Sequence, residues 1–238
     1  VAAALTGDIN RLSGLSLTAW LSLSSAGIVH FFIGRFLGFS GVRLIGANRA
    51  VPAQTIYIVI AAVLGVIFFG EPMTIGLIFS LILVTGGLAL ISTTGSAEAR
   101  RAQLKPGDFA RGVAVTIGAA ICWGVSPILT KIGLNEVGSP VLATFVSYLA
   151  SNIFLAFTLL VPSNRKNLGK LSRPTLVPFL ISGLATSAAQ ILRYTAYTLS
   201  PVSLATPLVG TNSFLVFPLS FLINRDIEIF NLRIMLGA

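Results

Sequence analysis

Four side chains in one apolar stretch have the types and spacing to hold an anion. Within residues 174–199 of this 238-residue chain, Gln190, Arg193, Tyr194 and Tyr197 fall at i, i+3, i+4 and i+7. That spacing stacks side chains on one face of a helix. A guanidinium presents a fixed fork of donors that matches a carboxylate or a phosphate. Two phenols and an amide beside it would complete a polar lining. The same residues also fit a second picture, in which Arg193 lies near a helix end, six residues before Leu199, among interfacial tyrosines.

Other polar residues lie inside apolar stretches, where they are costly and therefore candidates for a site. The segment ICWGVSPILTKIGL (121–134) carries Trp123, Gly124, Pro127 and Lys131. Trp123 can line a cavity and offer its indole N–H. Gly124 admits a close neighbour helix, and Pro127 leaves a backbone carbonyl without its helical partner. Lys131 is expected to end that helix and reach the headgroups. His30, the single histidine, lies deep in the first long stretch, and Arg35 follows it. Arg35 must face protein or water. Asn48 and Arg49 open the stretch that begins at residue 50. Ser147, Tyr148, Ser151 and Asn152 form one polar stripe, and Thr206, Gly210 and Ser213 another, with Asn212 beside it. Such stripes serve either as interhelical glue or as cavity lining. The candidate substrate residues are Trp123, Gln190, Arg193, Tyr194, Tyr197, His30, Arg49, Asn152 and Asn212.

Several chemistries are excluded. One histidine cannot build an HExxH zinc site, and one cysteine, Cys122, allows no disulfide or CxxC site within the chain. No catalytic residue, metal or cofactor is expected. Asp8, Glu71, Glu98, Asp108, Glu136, Asp226 and Glu228 all sit at loops or helix ends. A carrier of lipophilic cations needs an embedded carboxylate to pair with its cargo or with a proton. The embedded charges here are Arg and His, which favours anionic or zwitterionic cargo such as amino acids or organic acids. The alternative function is a membrane-embedded enzyme acting on lipid or isoprenoid substrates. It would require paired acids or a nucleophile and base near the interface, and Asp226 with Glu228 is the one close pair of acids. A purely structural membrane protein is a third possibility.

The elements that must position these residues follow from composition. The chain is 55% hydrophobic and 10% charged, with mean hydropathy +0.92. Soluble domains carry about 25% charged residues, so lipid is the solvent here. The net charge of +9 then reflects loops at a membrane face rather than nucleic acid. No basic n-region with a cleavage site is present, so no signal peptide is expected. A spanning helix takes about 20 apolar residues. Such runs cover roughly 17–44, 50–69, 73–93, 112–130, 140–161, 174–199 and 201–223. Continuous runs mean helices rather than barrel strands. Polar loops at 94–111 and 162–173 separate them.

A shift of 155 residues places Ala50 and Pro52 on Ala205 and Pro207, Leu44 on Leu199, and Glu71 on Asp226. Two copies of one helical unit are expected: 1–93 and 112–238, joined by a linker at 94–111. On this register the first copy lacks its first helix and most of its second, and the last helix of the second copy is truncated. Five helices per copy, an odd number, would invert the copies, as in many transporters whose site lies near the midplane. The expected class is an all-α polytopic membrane bundle of two inverted five-helix repeats.

These features resemble the EamA-like branch of the drug/metabolite transporter superfamily, in its ten-helix type. Its pattern opens each half with Trp-Gly and a lysine about seven residues later; Trp123, Gly124 and Lys131 fit. It closes the fourth helix with a Gly-Glu turn; Gly70, Glu71 and Pro72 fit, whereas Asn224, Arg225 and Asp226 replace it in the second copy. Its small-residue turn is similar to Ile45-Gly46-Ala47 and Leu199-Ser200-Pro201. The resemblance implies a secondary transporter that exports small metabolites by alternating access. Its partners would be the lipid bilayer of the cell membrane and a small-molecule substrate, with no nucleic acid and with a homodimer left open. Orientation is in conflict: the basic loops at 100–111 and 165–173 read as cytoplasmic by the positive-inside rule, whereas the family layout implies the opposite side.

Overall fold

A computed structural model describes residues 7–83, 86, 106–162 and 173–210. No strand occurs among them. A 3₁₀ turn, Asp8–Gly14, leads into α1 (Leu17–Gly27), which continues without a break through a π-helical segment, Ile28–Gly34, into α2 (Arg35–Ile45). Then follow α3 (Ala47–Gln54) and α4 (Ile56–Phe69), and α5 at residues 75–83. The remaining helices are α6 (Pro106–Val137), α7 (Pro140–Thr158), α8 (Arg173–Leu199) and α9 (Val202–Gly210). Leu17–Ile45, Gly107–Val137, Pro140–Thr158 and Leu176–Leu199 are long and apolar enough to cross a bilayer. The all-α membrane bundle expected from the apolar runs is the fold observed.

Boundaries move where local chemistry overrides hydropathy. The run expected as one helix at 50–69 is divided at Thr55, between α3 and α4. Pro52 has no amide to donate to the turn before it, and the Ile58 amide bonds the Thr55 carbonyl in a tighter i+3 turn. The turn at Gly46 has φ +81, a conformation that suits glycine. Helix α6 runs past Lys131 and stops at Gly138, whose φ of +67 makes the left-handed cap. Lys131 is therefore interior to α6, and the expectation that it ends the helix is corrected.

The chain divides into two compact units, Val1–Phe32 with Leu129–Ser200, and Ile33–Ile128 with Pro201–Ala238. Each unit draws residues from both of the expected repeats.

In the first unit, α1 packs on α7 through small residues. Ala19, Leu23 and Ala26 of α1 and Leu142, Ala143 and Val146 of α7 are essentially inaccessible. At Gly27 an added Cβ would lie 2.0 Å from the Ser147 carbonyl oxygen, so the two backbones touch there. Apolar side chains gain little from burial when lipid is the alternative, and close backbone approach supplies the attraction instead. The helix ends are tied by serines used twice. Ser16 caps α1 by accepting from the Ala19 amide (3.1 Å) and donates to Glu136 (3.0 Å). Ser139 caps α7 by accepting from the Leu142 amide (3.2 Å) and donates to Asp8 (2.9 Å). Each hydroxyl thus satisfies one of the amides a helix start leaves open while holding a second element.

In the second unit, α4 packs on α9 and on the first part of α6. A Cβ at Gly210 would meet Ile58 at 2.5 Å, and one at Gly124 would meet Ile60 at 2.5 Å and the Tyr57 carbonyl at 3.1 Å. Gly124 therefore permits the close approach expected of it. Pro127 leaves the Trp123 carbonyl without a helical donor, and the Ser126 hydroxyl donates to that carbonyl at 3.3 Å.

Candidate functional site

Among the described residues, embedded polar groups gather in the first unit, on the face of α8 that the i, i+3, i+4, i+7 spacing defines. Gln190, Tyr194 and Tyr197 are buried there, the two tyrosines at 1% exposure, and Arg193 is half-buried. The π-helical segment brings His30 to this face. Arg193 Nη2 lies 3.1 Å from His30 Nε2, between residues 163 apart in sequence. A π turn widens the helix locally and is a common device at functional sites. The His30 ring meets Phe31 edge-on at 4.7 Å, and Phe31 stacks on Tyr148 of α7 at 4.4 Å.

Beside this pair runs a chain of three hydrogen bonds that visits every long helix of the unit. Thr130 of α6 donates to the Tyr194 hydroxyl (3.4 Å), Tyr194 of α8 donates to Ser147 (3.2 Å), and Ser147 of α7 donates to the Leu23 carbonyl of α1 (3.0 Å). All three side chains are buried. In a low-dielectric interior such a chain is stronger than its bonds would be in water. The Tyr194 hydroxyl is thereby committed to the frame rather than offered to a ligand.

Two atoms of the same α8 face are not so committed. Gln190 Oε1 and Arg193 Nε are buried and have no hydrogen-bond partner among the described residues. One is an acceptor and the other a cationic donor. Together they could receive an anion at the guanidinium and an amino or hydroxyl donor at the amide, the two ends of a zwitterion or hydroxy acid.

The chain also matches a known family. The model of the EamA-like transporter family covers residues 2–93 and 110–238. The chain belongs to that family. It is therefore a membrane protein of a transporter family. No curated protein matches the chain.

The EamA-like motifs have structural roles that the sequence did not make plain. Lys131 was expected to reach toward headgroups; its amine instead donates to the Tyr197 carbonyl. Tyr197 lies in the last turn of α8, where carbonyls lack helical donors and a cation is favoured. Glu71, in the Gly-Glu turn, is buried, and its carboxylate accepts from the Val202 amide (2.7 Å) and the Ser203 amide (2.8 Å). It caps the start of α9 from 131 residues away in the EamA-like chain. Trp123 lies in the second unit. Its ring lies edge-on to Tyr57 with centroids 6.3 Å apart and would be struck by a Cβ at Gly38, while Gln54 donates to the Gly38 carbonyl at 3.1 Å.

The remaining candidates of this EamA-like chain are not part of the α8 cluster. Asn152 is exposed, and its amide donates to the Tyr148 carbonyl of its own helix at 2.8 Å. Arg35 is exposed. Arg49 belongs to α3, and Asn212 lies outside the described residues, as do Asp226, Glu228, residues 100–105 and residues 165–172 of the basic loops. Ser147 and Ser151 are buried, and for Ser147 the role is glue between helices.

Proposed function

We propose that the chain acts in the cell membrane as a secondary transporter. It exports small anionic or zwitterionic metabolites, amino acids or organic acids, by alternating access. The observation that carries this reading is the pair of buried atoms on one face of α8, Gln190 Oε1 and Arg193 Nε, that have no partner among the described residues. Leaving a buried polar group unpaired costs about 1–3 kcal/mol, more for a charged one. A ligand with a carboxylate and a neighbouring donor removes that cost. Separate family matches to residues 2–93 and 110–238 support two copies of one unit, and an odd number of helices in each would invert them.

Thermal unfolding in detergent with a panel of amino acids, organic acids, phosphorylated sugars and lipophilic cations tests the proposal. A ligand selective for the folded state raises the melting temperature with its concentration. Stabilisation by amino acids or organic acids, abolished in Arg193→Ala, is the expected result. Arg193→Lys keeps the charge but loses the fork, and affinity should fall about tenfold or more. Stabilisation by lipophilic cations alone would refute the proposal.

A further inference from the structure

We infer that His30 is the proton site of this transporter and that anion and proton cross together. The inference rests on the proposed anion site at Arg193. Its starting point is the 3.1 Å contact between Arg193 Nη2 and His30 Nε2. A guanidinium only donates. The ring nitrogen facing it must therefore accept, and an imidazolium, with N–H on both nitrogens, has nothing to accept with. With the guanidinium donating there, the contact calls for a neutral ring that carries its proton on Nδ1. Protonating it there would set two cations against each other at hydrogen-bond distance.

An anion reverses this. When a carboxylate takes the Arg193 donors, Nη2 turns from the ring to the anion. Nε2 then binds a proton from water: an O–H bond of hydronium breaks, an N–H bond forms, and the new N–H donates to the same carboxylate. Release on the other side runs the steps backward, returning the proton to water and the guanidinium to Nε2. For a monocarboxylate the loaded site carries the charge of the empty one, which is the condition under which the helices around it can rearrange in lipid.

Among the described residues of the unit, His30 is the group placed to carry this proton. The titratable side chains described on the packed helices of the unit, besides His30, are Arg193, Tyr194 and Tyr197 of α8, Tyr148 of α7, and Lys131 and Glu136 of α6. Glu136 is exposed at its helix end and accepts from Ser16. Asp8, before α1, holds Arg11 and Ser139. No carboxylate lies among the described residues of the cluster itself, and Lys131 is engaged with the Tyr197 carbonyl.

The sequence supplies a clean probe, because His30 is the single histidine. The protein, labelled with ¹⁵N-histidine and placed in lipid nanodiscs without a histidine tag, should give one imidazole spin system, lost in His30→Asn. L-malate and L-glutamate are the test anions, since their carboxylates stay ionised between about pH 6 and 8. The expected spectrum is the neutral Nδ1–H tautomer without anion and a growing imidazolium signal as either anion is added at fixed pH. Reciprocal linkage then requires affinity for that anion to fall up to about tenfold per pH unit. In His30→Asn or His30→Gln the affinity should be weaker and should no longer change with pH. Binding that vanishes in Arg193→Ala yet leaves the imidazole signal unchanged would overturn the proton site alone. Absence of any Arg193-dependent binding of both anions would overturn the anion site, and the proton site with it.

Discussion

Removing the Glu71 carboxylate should loosen α9, and the size of the effect can be worked from its contacts. Two charge-assisted bonds, 2.7 Å to the Val202 amide and 2.8 Å to the Ser203 amide, satisfy the first turn of the helix. Bonds to a charged group contribute about 1.5–3 kcal/mol each, and a carboxylate at a helix start adds the favourable interaction with the helix dipole. Pro72, Met73 and Thr74 are exposed, so water can reach the vacated turn and the cost falls at the lower end, about 3 kcal/mol for Glu71→Ala. Gly65 gives an independent way to break the same contact. A Cβ there would lie 2.5 Å from Glu71 Oε2, so Gly65→Ala must displace the carboxylate, at about 2 kcal/mol after the helical preference of alanine is counted. The double variant should cost no more than Glu71→Ala alone, because the added methyl then fills space the carboxylate has left. The expected coupling is about 2 kcal/mol. Unfolding by SDS titration in mixed micelles, followed by far-UV circular dichroism, measures all three. Additive costs, within about 0.5 kcal/mol, would refute the claim that Gly65 is needed to admit the cap.

Other perturbations probe the first unit by the same titration. Gly27→Ala drives a methyl to 2.0 Å from a backbone oxygen of Ser147, where no side chain can turn aside, so a loss of about 3 kcal/mol or failure to fold is expected; a stable variant would mean α1 and α7 pack less closely. Tyr194→Phe removes the middle of the chain from Thr130 to Ser147 and should cost about 1–2 kcal/mol, with Thr130→Ala adding little in that background. Lys131→Met should cost about 1.5–3 kcal/mol if the bond to the Tyr197 carbonyl holds the end of α8, and close to nothing if the amine only reaches for headgroups.

What the sequence made legible was whatever depends on neighbours along the chain. Long apolar runs became helices because lipid leaves backbone amides no other partner, and the spacing of Gln190, Arg193, Tyr194 and Tyr197 placed them on one face because a helix repeats every 3.6 residues. What it hid was set by distant parts of the chain. Nothing local to Arg193 or His30 says that they meet, since they are 163 positions apart in sequence. Lys131 was misjudged because hydropathy falls at a lysine, whereas the helix continues until a glycine can take positive φ, at Gly138. Glu71 read as a loop acid because its partners are two amides, and an amide has no signature in a sequence.

The Glu71 cap also bears on how the chain is made. A ribosome adds about 5–20 residues per second, so Val202 leaves it roughly 7 to 26 s after Glu71 does, given their separation of 131 positions, and Ser203 follows at once. Throughout that interval the carboxylate has no amide to accept from, and hydrocarbon would not tolerate it. The turn after α4 must therefore wait at the water boundary while α6, α7 and α8 are synthesised. The arrival of α9 supplies the amides that let it settle, which couples completion of the first hairpins to the last described helix.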